Sequence, residues 1–331
     1  MRNVAIARRP GIDHRDIPPT RLADVVRPDL RFHYASPLGA ERWLDVVRDP
    51  SYGHDELIAA SSAAVPRLLG RTNGAGPRRL NVVSFGPGDG ALDSAMLDAL
   101  SSVATVESYT GIDSSLDLLH HTATRLESMA DSRHAISFNL IHGDFLELTP
   151  AQLPTPAAGV QTLSMLLGLT FGNYSESGLL RGLASLMRED GLLLFDARVH
   201  EFGASADESR LTASQREVLL AHYDRVESRR FAFAPVEALT TATVETCPIQ
   251  FEISRRYSEV PGALTVVTYC EPLNTTMRET QEPVHKARLD LGVTSAYDAA
   301  SLIAWLPTQG LEVVASEVSA GTMRVLARRA I

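Results

Sequence analysis

The sequence predicts an α/β fold with a mostly parallel sheet, and three observations support this. Short apolar runs alternate with stretches of helical period between residues 81 and 198, as in strands joined by crossover helices. Each run is almost continuously apolar, which is typical of strands that helices cover on both faces. The chain ends in two further strand patterns, 311–316 and 323–327, around Ser-Ala-Gly-Thr, which predicts an antiparallel hairpin.

The order of these patterns predicts three parts of the chain. Residues 1–80 are expected to form a helical N-terminal extension, with helices over 38–47 and 55–69. Residues 81–198 and 294–331 are expected to form the sheet domain. Residues 199–293 are expected to form an α+β insertion that serves as the substrate domain, with one charged helix over 212–229. The predicted strands are 81–85, 108–113, 136–142, 159–168 and 191–196 in the sheet domain, and 250–257 and 263–270 in the insertion.

Composition excludes several classes of function. The chain has 331 residues and a net charge of -9, whereas nucleic acids and anionic membranes are bound by basic surfaces. No stretch approaches the ~20 apolar residues of a membrane span, and no secretory leader is recognisable. Its two cysteines, Cys247 and Cys270, lack the spacing of a metal site or a disulfide framework. We therefore expect a cytoplasmic protein that acts on a small molecule, without a metal; the oligomeric state is left open.

A glycine turn follows the first predicted strand of the sheet. Gly86, Gly88 and Gly90 lie between an apolar run and a segment of helical period. A strand, a glycine turn and a helix bring backbone N–H groups towards a ligand, and glycine permits the close approach. The next strand ends in Asp113, where a carboxylate can accept hydrogen bonds from both hydroxyls of a ribose. Asp89 within the turn and Ser114 after the acid are also candidate cofactor ligands.

These features suit NAD and S-adenosylmethionine (SAM) alike, and the third strand separates the two. It ends in Gly-Asp144-Phe145. A carboxylate here can accept a hydrogen bond from an adenine amino group while the aromatic ring packs beside the adenine. This arrangement resembles that of class I SAM-dependent methyltransferases. The C-terminal hairpin is also how that family closes its Rossmann-like sheet. The resemblance implies SAM as cofactor and S-adenosylhomocysteine (SAH) as product. One departure is Ser84, where many members have an acid; Asp89 is a possible substitute.

A narrower resemblance concerns residues 166–175, Leu-Leu-Gly-Leu-Thr-Phe-Gly-Asn-Tyr-Ser. This stretch is similar to the Gly-x-Thr-Ile-Gly-Asn-Phe/Leu motif of the histidine-specific methyltransferases, which methylate the α-amino group of histidine on the way to ergothioneine. The resemblance implies that Asn173 holds the substrate next to the methyl donor, with Tyr174 beside it. The family's Glu-x-Ser element near the end of the insertion has no clear counterpart here. In the corresponding stretch of this sequence, Ser295 and Tyr297 are the substrate-binding candidates.

Further substrate candidates come from loops and strand ends. Arg198, at the end of the fifth strand, can pair with a substrate carboxylate, and Glu201 can assist removal of a proton from an amine. Tyr34 and Tyr52 of the N-terminal extension are candidates for substrate contact.

The leading hypothesis is a SAM-dependent N-methyltransferase in specialised metabolism, acting on a small amine such as histidine, arginine or another amino acid or guanidino compound. The alternatives are an O-methyltransferase, a SAM-fold binding protein without activity, and an NAD-dependent enzyme.

Overall fold

The computed structural model describes residues 6–8, 33–34, 36–72, 78–132, 136–272, 275–278, 280–281, 283–284 and 288–330. The strands are β1 Ile6–Arg8, β2 Arg78–Phe85, β3 Ala104–Asp113, β4 Ser137–His142, β5 Gln161–Leu166, β6 Leu192–Arg198, β7 Ile249–Ser254, β8 Leu264–Cys270, β9 Leu289–Ala296, β10 Leu311–Ser319 and β11 Thr322–Arg329. The helices are α1 Pro37–Arg48, α2 His54–Gly70, α3 Ala91–Leu100, α4 Leu116–Ser132, α5 Glu176–Leu186, α6 Ala213–Leu220, α7 Val226–Leu239 and α8 Ala299–Trp305.

The large sheet confirms the predicted fold class. Its strand order is β1-β4-β3-β2-β5-β6-β11-β10. The first six strands in this order are parallel, and β11 and β10 are antiparallel to their neighbours. The seven strands from β2 to β6, β10 and β11 were expected from their apolar runs. The short edge strand β1, which pairs with β4, was not, because three residues carry too little pattern.

Helices cover both faces of this sheet, which explains the continuous apolar runs. On one face, Val83 and Phe85 pack with residues of α5 and α8. On the other face, Leu80 and Val82 pack with residues of α2, α3 and α4. Successive residues of a strand point to opposite faces, and helices bury the side chains of β2 on both faces. Because these strands are parallel, their carboxyl ends lie along one edge of the sheet, where loops can form a binding site.

A second, antiparallel sheet of β7, β8 and β9 lies between residues 249 and 296. The sequence indicated its first two strands, and β9 adds a third. The single helix predicted over 212–229 is wrong, because the chain forms α6 and α7 with a turn between them. Thr212 caps α6 through a capping box with Gln215, and α6 ends before Ala221. The charge pattern runs through both helices and therefore concealed the turn.

The N-terminal extension meets the insertion above the carboxyl edge of the sheet. Trp43 of α1 lies against Phe231 of α7, with ring centroids 5.4 Å apart, and the His33 ring is 3.2 Å from the carbonyl oxygen of Ala232. Two segments that are distant in sequence therefore form a roof over this edge. Within the described ranges, no helix is long and apolar enough to cross a bilayer.

Candidate functional site

The glycine turn between β2 and α3 needs glycine for two different reasons. Gly86, Gly88 and Gly90 have φ of 72°, 60° and 77°, in the left-handed region that L side chains rarely adopt. A Cβ at Gly90 would also lie 2.9 Å from Cα of Thr122, so α4 packs directly on the turn. A Cβ at Gly86 would have no described atom within 4 Å. Gly86 therefore leaves open space beside the backbone, as a ligand that approaches the turn requires.

Asp113 is held at the end of β3 with its carboxylate facing the same space. Its Oδ2 accepts a hydrogen bond from the Gly88 N–H at 3.2 Å, and its Oδ1 accepts from the Ser115 N–H at 2.8 Å. Burial raises the pKa of this carboxyl group to about 6, although the two N–H donors act in the opposite direction. The acid is thus tied to the glycine turn and is ionised at neutral pH.

The other predicted cofactor residues have different surroundings. Asp89 accepts from the Ala91 N–H at 3.0 Å and forms an ion pair with Arg125 at 3.0 Å. It lines the cavity beside the turn together with Ser114 and Phe145. Asp144 accepts from the Leu146 N–H at 2.9 Å and, in the described structure, is not among the residues that line this cavity. Its predicted contact with an adenine amino group remains a prediction.

The serine that replaces the usual acid is part of a buried cluster behind the turn. Asp93 of α3 accepts a hydrogen bond from the Tyr109 hydroxyl at 2.7 Å and is also hydrogen-bonded to Ser84. Burial raises the pKa of Asp93 to about 6. A carboxylate is therefore present next to Ser84, but it comes from the following helix and points into the core.

A cavity lies beside the glycine turn. Besides the turn and Asp113, its walls include Trp43 and Tyr34 of the N-terminal extension and Tyr174 after β5. An aromatic group, Phe145, lies between Phe85 and Tyr174, with ring centroids 5.5 and 6.0 Å away. An acid at the end of β3, a glycine turn and aromatic walls fit the adenosyl part of SAM.

A second cavity adjoins the first and is called the acceptor cavity below. The residues that line both cavities are Tyr34, Trp43, Gly168 and Asn173. Asn173 is held by Thr294 of β9, whose hydroxyl donates to Asn173 Oδ1 at 3.0 Å. The second sheet therefore orients the amide that stands between the two cavities.

Aromatic side chains form one wall of the acceptor cavity. Tyr34, Trp43 and Phe231 are in mutual contact, with centroid separations of 4.9–5.4 Å. Tyr52 lies 4.6 Å from the ring of His222. Burial raises the pKa of both tyrosines well above the usual value, so both hydroxyls are neutral. This wall suits an apolar or aromatic substrate body.

Arg198 carries the formal charge of the acceptor cavity. Among the described residues that line it, no Asp or Glu is present. Burial, with Arg198 and Arg225 nearby, lowers the pKa of His222 to about 3, so this imidazole is neutral. The Arg198 Nη1 has no hydrogen-bond partner in the described structure, and its Nη2 is 3.5 Å from the Val218 carbonyl oxygen. The one formal charge among the described lining residues is therefore the positive charge of Arg198.

Asp196 fixes the loop that separates the two cavities. Its carboxylate accepts from the N–H groups of Gly168 and Leu169 at 3.1 and 2.7 Å. Leu169 has φ of 64°, a conformation that costs roughly 1–2 kcal/mol for a residue with a Cβ. Burial raises the pKa of Asp196 to about 6. These two hydrogen bonds offset the strain and hold the loop against both cavities.

Three predicted substrate or catalytic residues lie apart from these cavities. Glu201 is exposed and lines a third cavity. Ser295 is buried, with its hydroxyl 2.9 Å from that of Thr265. The Tyr297 hydroxyl donates to buried Glu176 at 3.0 Å. The structure brings none of these three side chains to the acceptor cavity, so their predicted contacts with substrate lack geometric support.

Strand alternation explains why β9 and the residue after it bring other side chains to the acceptor cavity than the predicted ones. Gly292 and Thr294 line the acceptor cavity, whereas Ser295 and Tyr297 are on the opposite parity and point into the core. A glycine and a threonine gave no chemical signal in the sequence. Trp43, which the sequence analysis did not select, packs against Phe231 and also lines both cavities.

Comparison with known proteins gives matches only in structure. No family model and no curated protein matches this chain. Magnesium protoporphyrin IX methyltransferase from Synechocystis PCC 6803, solved with SAH, is 12% identical, with coverage of 91% of this chain and 98% of that one and a TM-score of 0.46. The mitomycin 7-O-methyltransferase is 15% identical, with coverage of 95% and 74% and a TM-score of 0.42. A glycopeptide N-methyltransferase with SAH is 14% identical, with coverage of 81% and 86% and a TM-score of 0.41. At these identities the likeness concerns the fold.

Proposed function

We propose that this protein is a SAM-dependent methyltransferase of a small molecule. SAM, when bound, supplies an activated methyl group together with its leaving group. The residues that would hold it are Gly86, Gly88, Asp89, Asp113, Ser114 and Phe145, since all of them line one cavity, whereas Gly90 of the turn packs against Thr122. The protein's own contribution is to align the acceptor and exclude water, an effect that can reach ~7–11 kcal/mol in well-oriented systems. No covalent catalyst is needed.

The acceptor atom is proposed to be the nitrogen of a small amine at Asn173. The observation that carries this is the position of Asn173 in the walls of both cavities, where Thr294 holds it. A neutral amide can accept a hydrogen bond from the N–H of an amine and leave the lone pair of that amine directed towards the methyl donor. Tyr174, which lines the cofactor cavity, is proposed to support this end of the site.

The charge of the acceptor cavity supports delivery of the amine in its neutral form. An ammonium group has no lone pair and must lose a proton before it can attack. In a cavity lined by Arg198 and by no described carboxylate, positive charge on the substrate is disfavoured, so the pKa of the bound amine falls. Amino acids fit this better than guanidino compounds, because a guanidinium group stays protonated.

The same electrostatics favour a second candidate, O-methylation. A phenolate or carboxylate acceptor would be stabilised by the unpartnered Arg198 Nη1 and would need no dedicated base. The histidine-specific subfamily remains a hypothesis. That family's Glu-x-Ser element has no clear counterpart near the end of the insertion. An amino acid other than histidine is therefore the better proposal.

The first test is a mass-spectrometric screen of the purified protein with SAM and a mixture of amino acids, guanidino compounds, simple amines and phenols. N-methylated amino acids are the expected products.

Asn173→Ala should lower kcat/KM by about 10²-fold while the Kd for SAH changes less than threefold. Ser177→Ala, in the following helix, is the control. Methylated phenols alone would favour the second candidate. SAH binding without any product would favour a binding protein, and stabilisation by NADH but not by SAH would contradict the proposal.

A further inference from the structure

A third cavity lies beyond Arg198, on the side away from the glycine turn, and is called the distal cavity. It is larger than the acceptor cavity. It is bordered by the end of β6, the start of α2, α6 and the turn between β10 and β11. The residues it shares with the acceptor cavity are Tyr52, Leu169, Arg198 and His222. The two cavities therefore lie next to each other, with these four side chains between them.

A buried arginine lines the distal cavity. Arg324 of β11 is 1% exposed. Its Nε donates to the Ser61 hydroxyl at 2.9 Å and its Nη1 to the Ser319 hydroxyl at 2.8 Å. Its Nη2 has no acceptor within the described residues. The charges of Asp196, which faces Arg324 across β6 and β11, and of Glu317 act on this guanidinium, but neither carboxylate accepts a hydrogen bond from Nη2 within the described residues.

Two guanidinium groups of the distal cavity thus have an unpartnered nitrogen, Arg198 Nη1 and Arg324 Nη2. A buried charged donor without an acceptor is destabilising. Glu56 and Glu201 also line the cavity, but both are exposed, and neither accepts a hydrogen bond from these nitrogens. An oxyanion is the type of ligand that a guanidinium group binds through two parallel hydrogen bonds.

We propose that the distal cavity binds an oxyanion, a carboxylate or a phosphate, that belongs to the far end of the substrate. The substrate class is then an elongated amine, with its acceptor nitrogen at Asn173 and its oxyanion at the wall formed by Arg198 and Arg324. The location of the acceptor rests on the proposed function. The oxyanion site itself rests on the two arginines and can be tested without turnover.

The test uses calorimetric titration of the full-length protein, saturated with SAH, with succinate and with inorganic phosphate. Val218 lines the distal cavity and is 60% exposed, so Val218→Glu should fold and should weaken oxyanion binding about three- to tenfold by like-charge repulsion. Val218→Lys should strengthen it. The matched control is Val226→Glu, which should leave binding unchanged. Val226 is 58% exposed and lines none of the three cavities described here.

A second variant addresses the buried arginine. Arg324→Met should abolish binding of both probes, and Arg324→Lys should retain part of it; should Arg324→Met fail to fold, the Val218 pair decides. Binding of phosphate alone or of succinate alone identifies the oxyanion. The proposal is overturned if neither probe binds, or if Val218→Glu and Val226→Glu have equal effects. Charge-dependent probe binding without methylation of any amine would contradict the proposed function only. Methylation of amines without probe binding would contradict this inference only.

Discussion

Replacement of Asp113 gives the sharpest test of the cofactor site. Its carboxylate lines the cofactor cavity while accepting backbone N–H groups from Gly88 and Ser115. A hydrogen bond to a charged group contributes about 1.5–3 kcal/mol, which corresponds to roughly 10- to 150-fold in affinity. Asp113→Ala should therefore raise the Kd for SAH by at least tenfold. Asp113→Asn, which keeps one acceptor oxygen, should have a smaller effect.

Calorimetric titration with SAH at several pH values extends this test. Because burial raises the pKa of Asp113 to about 6, the wild-type Kd should rise as the pH falls from 7 to 5 and the carboxylate becomes protonated. Asp113→Asn should remove most of this dependence. Asp117→Ala, an exposed carboxylate at the start of α4, is the control. A folded Asp113→Ala variant with wild-type affinity for SAH would refute the assignment of this residue.

Three further predictions concern the loops and the roof of the site. Gly90→Ala should destabilise the fold more than Gly86→Ala in chemical denaturation, because only at Gly90 would the Cβ meet the backbone of Thr122, whereas Gly86→Ala should mainly weaken SAH binding. Burial raises the pKa of Asp196 to about 6, above the ~3.9 of an unfolded chain. The contribution of this group to the free energy of unfolding therefore falls as the pH rises from about 4 through 6. Asp196→Asn should reduce this dependence of the free energy of unfolding on pH, and an unchanged dependence would contradict the assignment. Trp43→Ala should raise both the Kd for SAH and the KM for the acceptor about tenfold, since Trp43 lines both cavities; an effect on one alone would be evidence against a shared wall.

The fold and the cofactor end of the site were predictable because their signals are local. The glycine turn, the apolar runs and the acid at the end of β3 lie within one stretch of chain, and parallel strands bring their carboxyl ends to one edge of the sheet. The position of Asn173 followed from the same rule, because it comes directly after β5. In each case, the residue type and its position relative to a strand were sufficient.

By itself, the sequence determined the alternation of strands and helices, the C-terminal hairpin and the line of cofactor residues along the sheet edge. Only the tertiary structure decided what faces the substrate. Trp43 and Phe231 meet across almost two hundred residues, and β9 directs Gly292 and Thr294, not Ser295, towards the acceptor cavity. The physical reason is that a substrate cavity is formed by side chains of separate elements, whose orientation depends on long-range packing that no local pattern records.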